Sequence, residues 1–366
     1  MDKASIDPDR SYLVDVTLVN QNNTRMKKWM LCALALVSML ACSDTETEPD
    51  TDPIDPPLDL SGKIVIPATT RDTVLFFTGI DQVSLPVFIS FPESAATTLP
   101  ATVVLHGSGG NWKDEDTDDD GIDDVIEEWT LSSQNTQWKS LFDQEDVISA
   151  FPGSYYRRGT VENKGDWKSP PLQFKISASF IRNYDAYGTL EVLRKLVRAD
   201  GSPLVISDKV ALLGFSHGGT AVQSTLFDTS IVPGNWEWSQ SYSGTLYTQE
   251  PRLPAALPEE GGFVGGVMYY PGSFHNSYYG NPCSGTSIFQ TYADFMIHLP
   301  SEDSLTPNSE CMLQTTANNG GGTATIHRYE GADHSFDGKS TGINGEASTL
   351  ARTRTINYLK EKLGVE

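Results

Sequence analysis

Gly214-Phe215-Ser216-His217-Gly218, extended by Gly219, follows the apolar run Val210-Ala211-Leu212-Leu213 and leads into Thr220–Phe227, a stretch that reads as helix. A Gly-x-Ser-x-Gly set between a strand and a helix forms a nucleophile elbow. The turn is so tight that the serine needs small neighbours, and its hydroxyl is thrust above the ends of the strands. Alone the pentapeptide is weak, because a chain with 31 glycines produces the pattern by accident. Its weight comes from a histidine-glycine loop upstream and from an acid and a histidine downstream, in that order.

Working outward, Thr73–Thr78 and Val83–Phe91 read as an antiparallel pair of strands around Gly79-Ile80-Asp81. Further apolar runs, each ending in turn chemistry, occupy Ala101–Leu105, Val147–Phe151, Val210–Leu213, Phe263–Tyr269, Phe295–Leu299 and Thr323–Tyr329. Helical patterns lie between several of them, notably Tyr184–Val197, and another closes the chain at Ser348–Leu363. Strands alternating with helices predict an α/β fold, a mainly parallel sheet covered on both faces. No internal repeat is visible. The pattern predicts one catalytic domain over 61–366, with Thr229–Gly262 as an insertion too long and proline-rich for a plain connection.

A serine nucleophile needs a histidine to take its proton and an acid to hold the imidazole. Beyond its immediate neighbour, four histidines follow Ser216: His275, His298, His327 and His334. His334 is the expected base, because Glu330-Gly331-Ala332-Asp333-His334-Ser335-Phe336 is a loop after a strand, whereas His298 and His327 lie within strands. Asp303, one strand earlier in Pro300-Ser301-Glu302-Asp303, is the expected acid. Glu302 is the near rival, and Asp294 sits at the wrong end of its strand. The oxyanion hole needs two backbone N–H groups. One is expected from His217. The other is expected from Leu105-His106-Gly107-Ser108-Gly109-Gly110, with Ser108 favoured over Gly107 and Gly109.

With these residues in view, the chain resembles the dienelactone-hydrolase-like branch of the α/β-hydrolase superfamily over roughly 70–366. Supporting matches are Ser154-Tyr155-Tyr156-Arg157-Arg158-Gly159, Arg182-Asn183-Tyr184-Asp185-Ala186-Tyr187, Tyr270-Pro271-Gly272, the Asp303 loop ending at Thr306-Pro307, Cys311, and residues 331–337. The resemblance implies the α/β-hydrolase fold with an eight-stranded sheet, and hydrolysis of a carboxylic ester. The namesake enzymes use a cysteine nucleophile; Ser216 here shifts the expectation from dienelactone to ordinary esters.

A second constellation is independent of the first. Asp116-Thr117-Asp118-Asp119-Asp120-Gly121, with Glu127 after five further residues, fits the calcium-loop pattern D-x-[DN]-x-[DN]-G-x5-E. Asp116, Asp118 and Asp120 would supply side chains, Ile122 a carbonyl, Asp124 a ligand through water and Glu127 a bidentate carboxylate. The flanks do not read as paired helices, and the bland alternative is a solvated acidic loop. A structural Ca2+ is the only ion expected; catalysis needs no cofactor.

The N-terminal region reads as an address. From Met26, Lys27-Lys28 precede the apolar Trp29–Leu40 and then Ala41-Cys42, which resembles a bacterial lipoprotein signal with Cys42 as the acylated residue. The apolar run is too short for the roughly 20 residues of a membrane span. Residues 1–25 look unlike any signal and are read as an extension upstream of the true start. Residues 42–60 are acidic and proline-rich, a composition that predicts a disordered tether. The expected location is therefore the cell envelope, lipid-anchored. In that oxidising compartment Cys283 and Cys311 are most simply a disulfide, worth roughly 3–4 kcal/mol in chain entropy. Two free thiols are the alternative.

Net charge is −22. That argues against nucleic acid as a partner, since phosphate binding needs clustered Lys and Arg. Residues 43–60 and 113–128 carry 16 of those 22 charges, so the remainder says little about substrate. The aromatic residues Trp236, Trp238, Tyr242, Tyr247, Tyr269, Tyr270, Tyr278 and Tyr279 suit a cleft for a sugar or aromatic acyl group and suit core packing equally. The expectation is a serine esterase acting on small or polysaccharide-linked acyl esters. A serine peptidase on the same fold is the near alternative, and a non-catalytic calcium-stabilised binding lipoprotein is the distant one.

Overall fold

Buried apolar runs of five to seven residues become the centre of a sheet because a strand covered on both faces needs no polar alternation. Leu99–Leu105 and Ile148–Pro152 are buried at every position. The computed structural model describes residues 59–94, 96–114, 129–158, 176–238, 240–242, 245–247, 254–272, 279–280, 287–305 and 321–365. The calcium-loop ligands, Cys283, Cys311, His275 and Tyr278 lie outside the described residues, as do Cys42, the signal segment and nearly all of the tether.

Eight strands form the main sheet: β1 Asp72–Thr78, β2 Ser84–Ser90, β3 Leu99–Leu105, β4 Ile148–Pro152, β5 Val205–Phe215, β6 Gly266–Tyr269, β7 Phe295–Pro300 and β8 Ala324–Tyr329. Their order is β8-β7-β6-β5-β3-β4-β2-β1. β1 and β2 pair antiparallel, as do β2 and β4, and every other neighbouring pair is parallel. The expected opening hairpin and mainly parallel sheet are therefore present.

Among the described residues four α-helices flank the sheet: α1 Ser133–Gln144, α2 Arg182–Lys195, α3 His217–Leu226 and α4 Gly342–Leu363. Side chains alternate along each strand, so Val103 and Leu105 join one buried cluster with α2 and α3, while Val104 joins a second with α1 and α4. The result is a three-layer αβα arrangement.

Three elements differ from the sequence expectation for physical reasons. β5 extends back to Val205, because its first half, Ile206-Ser207-Asp208-Lys209, runs as a partly exposed strand past a register shift opposite Leu99 and Ala101. α4 begins at Gly342 rather than Ser348; its first turns, poor in helix formers, are held against the short 3-10 turn Phe336–Gly338. α1 carries only Trp138, Leu141 and Phe142 as large apolar residues, and Ser132 caps it by accepting from the Asn135 N–H at 3.3 Å.

Candidate active site

Parallel strands present their carboxyl ends on one edge, and ligands bind there in open α/β sheets. His106 follows β3, Ser216 follows β5, Tyr270 follows β6, Asp303 follows β7 and His334 follows β8. The topology thus brings residues up to 228 positions apart to one edge.

Ser216 stands at the strand-to-helix turn with φ 49° and ψ −113°, a conformation that costs energy for any residue but glycine. The glycines around it permit the turn. A side chain at Gly214 would come within 2.3 Å of the Gly218 carbonyl oxygen, and one at Gly218 within 1.9 Å of the Leu105 carbonyl oxygen. The helix N-terminus therefore packs directly on the end of β3. The turn is tied down by Ser216 N–H donating to the Tyr269 carbonyl at 2.9 Å and by Thr220 N–H donating to the Ser216 carbonyl at 3.0 Å.

His334 Nε2 lies 2.9 Å from Ser216 Oγ, and His334 Nδ1 lies 2.8 Å from Asp303 Oδ2. The Asp303 side chain is 5% exposed and the His334 side chain 14%, so both are shielded while the imidazole keeps a route to substrate. The second oxygen of Asp303 accepts from the Leu305 N–H at 2.9 Å, which fixes the carboxylate in its own loop. Nδ1–H to Asp303 and Nε2 toward the hydroxyl is the arrangement a general base requires.

The rivals are elsewhere. Glu302 is exposed and its carboxylate accepts from Ser301. Asp294 precedes β7 and pairs with Lys362 at 2.7 Å. His298 is fully buried, bonded to the Tyr329 hydroxyl at 2.7 Å and to Thr355 Oγ1 at 2.9 Å, and burial holds its pKa well below the usual histidine range. His327 stacks on it at 5.7 Å.

The loop Leu105–Gly110, expected to supply one of the two oxyanion N–H groups, lies beside Ser216. A side chain at Gly107 would lie 3.7 Å from Ser216 Cβ, so the loop after β3 borders the nucleophile directly. Gly110 N–H donates to the Gly107 carbonyl at 3.2 Å, closing a turn with Ser108 and Gly109 at its centre. His217 opens α3, so its amide belongs to the first turn, where N–H groups point out of the helix toward an anion.

Several groups around the site stand in the sequence only as motif matches or possible cleft lining, with no role at the site assigned to them. Tyr155 and Arg182 are fully buried beside His217 and His106. Tyr270 has φ 35° and packs its ring on His334. Its hydroxyl donates to Asp337, which also accepts from Gln134 Nε2; burial raises the pKa of that carboxyl. Among the aromatic residues offered as a cleft lining, Tyr269, Tyr270 and Tyr279 are buried and Trp238 packs against the core. The side chains of Tyr242 and Tyr247 lie outside the described ones.

No family model and no curated protein matches the chain. Solved structures do. A Klebsiella pneumoniae protein assigned as a dienelactone hydrolase is 15% identical, with a TM-score of 0.50, covering 79% of this chain and 99% of its own. A thermophilic esterase from the planctomycete Thermogutta terrifontis is 13% identical, with a TM-score of 0.49, covering 83% of this chain and 96% of its own. Strand order, helix placement and the first of these likenesses agree, and the chain has the α/β-hydrolase fold.

Proposed function

We propose that this chain is an exported, lipid-anchored serine hydrolase that cleaves carboxylic esters. One observation carries the reading: Ser216 Oγ, His334 and Asp303 form a continuous hydrogen-bonded line at 2.9 and 2.8 Å on the carboxyl edge of the sheet. Ser216 Oγ attacks the ester carbonyl carbon while His334 Nε2 takes its proton. Asp303 holds Nδ1–H and stabilises the imidazolium. The carbonyl oxygen becomes an oxyanion and is met by the backbone N–H groups of His217 and Ser108. Collapse breaks the ester C–O bond, and His334 returns the proton to the departing alcohol. Water, deprotonated by His334, then hydrolyses the acyl-serine and restores Ser216.

Small acyl esters, and acetyl or feruloyl esters on polysaccharides, are the substrate classes proposed. The names of the structural neighbours, a dienelactone hydrolase and an esterase, point the same way for those proteins. Anchoring rests on the segment Met26–Cys42, structural calcium on the spacing Asp116–Glu127, and the disulfide on Cys283 and Cys311.

Diethyl p-nitrophenyl phosphate tests the reaction class. One equivalent of p-nitrophenol and a phosphorylated Ser216 peptide are expected. A folded protein that takes no label, or a Ser216→Ala variant that takes as much, would refute the reading. Incorporation of an alkynyl fatty acid that is lost in Cys42→Ala tests the anchor. Calcium titration followed by calorimetry and thermal shift tests the acidic loop, with no heat and no shift at millimolar calcium removing it. Intact mass without reductant tests the disulfide, expected two hydrogens below the reduced chain.

A further inference from the structure

The Arg182 guanidinium is fully buried, yet no carboxylate among the described residues bridges it. Asp185, the nearest candidate on the same helix, gives both oxygens to Arg158 at 2.6 and 2.9 Å. Arg182 instead donates to two neutral acceptors. Its Nη2 reaches the His106 carbonyl at 2.8 Å, and its Nη1 reaches His217 Nδ1 at 3.1 Å. A guanidinium can only donate, so Nδ1 accepts and the His217 ring proton sits on Nε2.

Tyr155 makes a second bridge between the same two segments. Its hydroxyl lies 2.6 Å from His217 Nδ1, sharing that nitrogen's single lone pair with Arg182, and accepts from the Ser108 side chain. Burial pushes the phenol pKa up to about 12, so it stays a neutral donor, with the Arg182 guanidinium 5.3 Å above its ring. His106 and Ser108 flank Gly107 on one side of the nucleophile; His217 follows Ser216 on the other. Asp185 favours the Arg182 charge only from behind Arg158, so the guanidinium is buried with no direct carboxylate partner among the described residues, and a simple helix-to-strand tie does not require a charge there.

We propose that Arg182, with Tyr155, is the positioning element of the oxyanion hole: it fixes the loop after β3 and the start of α3 at one spacing and sets a positive charge behind the developing oxyanion. Arg182 touches no reacting atom; it acts through His106 and His217. The proposal rests on the serine-hydrolase reading.

Its contribution belongs to the transition state, so it appears in kcat and not in ground-state binding. The test compares wild type, Arg182→Gln, Arg182→Lys and Tyr155→Phe, using the full chain in detergent. p-Nitrophenyl acetate is the substrate, and rates are given per site titrated with diethyl p-nitrophenyl phosphate, so that misfolded molecules do not count. Arg182→Gln is expected to lower kcat about 100-fold or more, as for loss of one oxyanion donor, with KM within about threefold. Arg182→Lys keeps the charge but not the two-pronged reach and should fall between Arg182→Gln and wild type. Tyr155→Phe, which keeps the buried ring, should lose about tenfold in kcat. An alkylboronic acid, whose serine adduct places an oxygen in the hole, should weaken in step with the fall in kcat/KM. Wild-type kcat per titrated site in Tyr155→Phe and in Arg182→Gln would overturn the proposal, as would boronate affinities that do not move. If Arg182→Gln and Arg182→Lys yield no folded protein, a Tyr155→Phe variant with wild-type kcat and boronate affinity overturns it alone. Wild-type protein that neither turns over nor takes the phosphate label would instead refute the parent reading, and this proposal with it.

Discussion

The ring of Tyr270 lies 4.5 Å from the imidazole of His334, centroid to centroid, while its hydroxyl donates to Asp337 three residues further along the His334 loop. One side chain thus backs the base and braces the loop that carries it. Tyr270→Phe keeps the ring and removes a donor from a buried carboxyl, so stability should fall by about 1–3 kcal/mol while kcat stays near wild type. Tyr270→Ala removes the backing and should lower kcat by up to about 100-fold through misplacement of the imidazole. Urea unfolding and ester hydrolysis separate the two; equal losses of kcat in both variants would contradict the assignment.

Asp303 and Glu302 are adjacent in sequence, but only Asp303 reaches His334. Asp303→Asn should lower kcat by about 10⁴-fold, because the amide no longer holds the imidazole in its working tautomer. Glu302→Gln should leave kcat near wild type. Steady-state hydrolysis of a p-nitrophenyl ester decides between them.

His298 and His106 are buried, and desolvation depresses both pKa values well below the usual histidine range. In the unfolded chain each titrates near about 6.5. Between that value and the folded pKa the unfolded state binds more protons, so stability is full above about pH 6.5 and is lost as pH falls below it. The loss is at most about 1.4 kcal/mol per pH unit for each histidine. His298→Gln should be less stable at pH 8 yet show a shallower decline from pH 6.5 to 5. Thermal unfolding across that range checks the slope, and an unchanged slope would contradict the burial argument.

Arg158 is held by two carboxylates of unequal burial: Asp185, fully buried, and Asp81, with a side chain 16% exposed. Removing the buried partner strands a charge, so Asp185→Ala should cost about 3–5 kcal/mol. Water can replace Asp81, so Asp81→Ala should cost clearly less. Denaturant titration gives the order, and a reversed order would contradict it.

What was legible in the sequence follows one physical divide. Ser216 and Asp303 stand just past buried, largely apolar strand ends and His334 just past the partly exposed edge strand Ala324–Tyr329, so local pattern and chain order were enough to choose them. The same logic located the loop at Gly107–Gly110. Arg182, Tyr155 and Asp337 were visible only as motif matches, and Tyr270 only as a motif match and possible cleft residue; their roles were not legible, because nothing local distinguishes a buried arginine or tyrosine from an exposed one. Their roles arise only when α2, the loop after β4 and the loop after β6 converge. α1 was missed for a related reason: its polar run is made helical by the Ser132 cap and by Trp138 and Phe142 packing, not by propensity.

The most direct measurement is hydrolysis of p-nitrophenyl acetate and butyrate by the full chain in detergent, beside Ser216→Ala prepared identically. Saturable turnover is expected in the wild type and none in the variant, with an acylated Ser216 peptide trapped at early times. A folded wild-type protein with no turnover, or a Ser216→Ala variant with the wild-type rate, would contradict it.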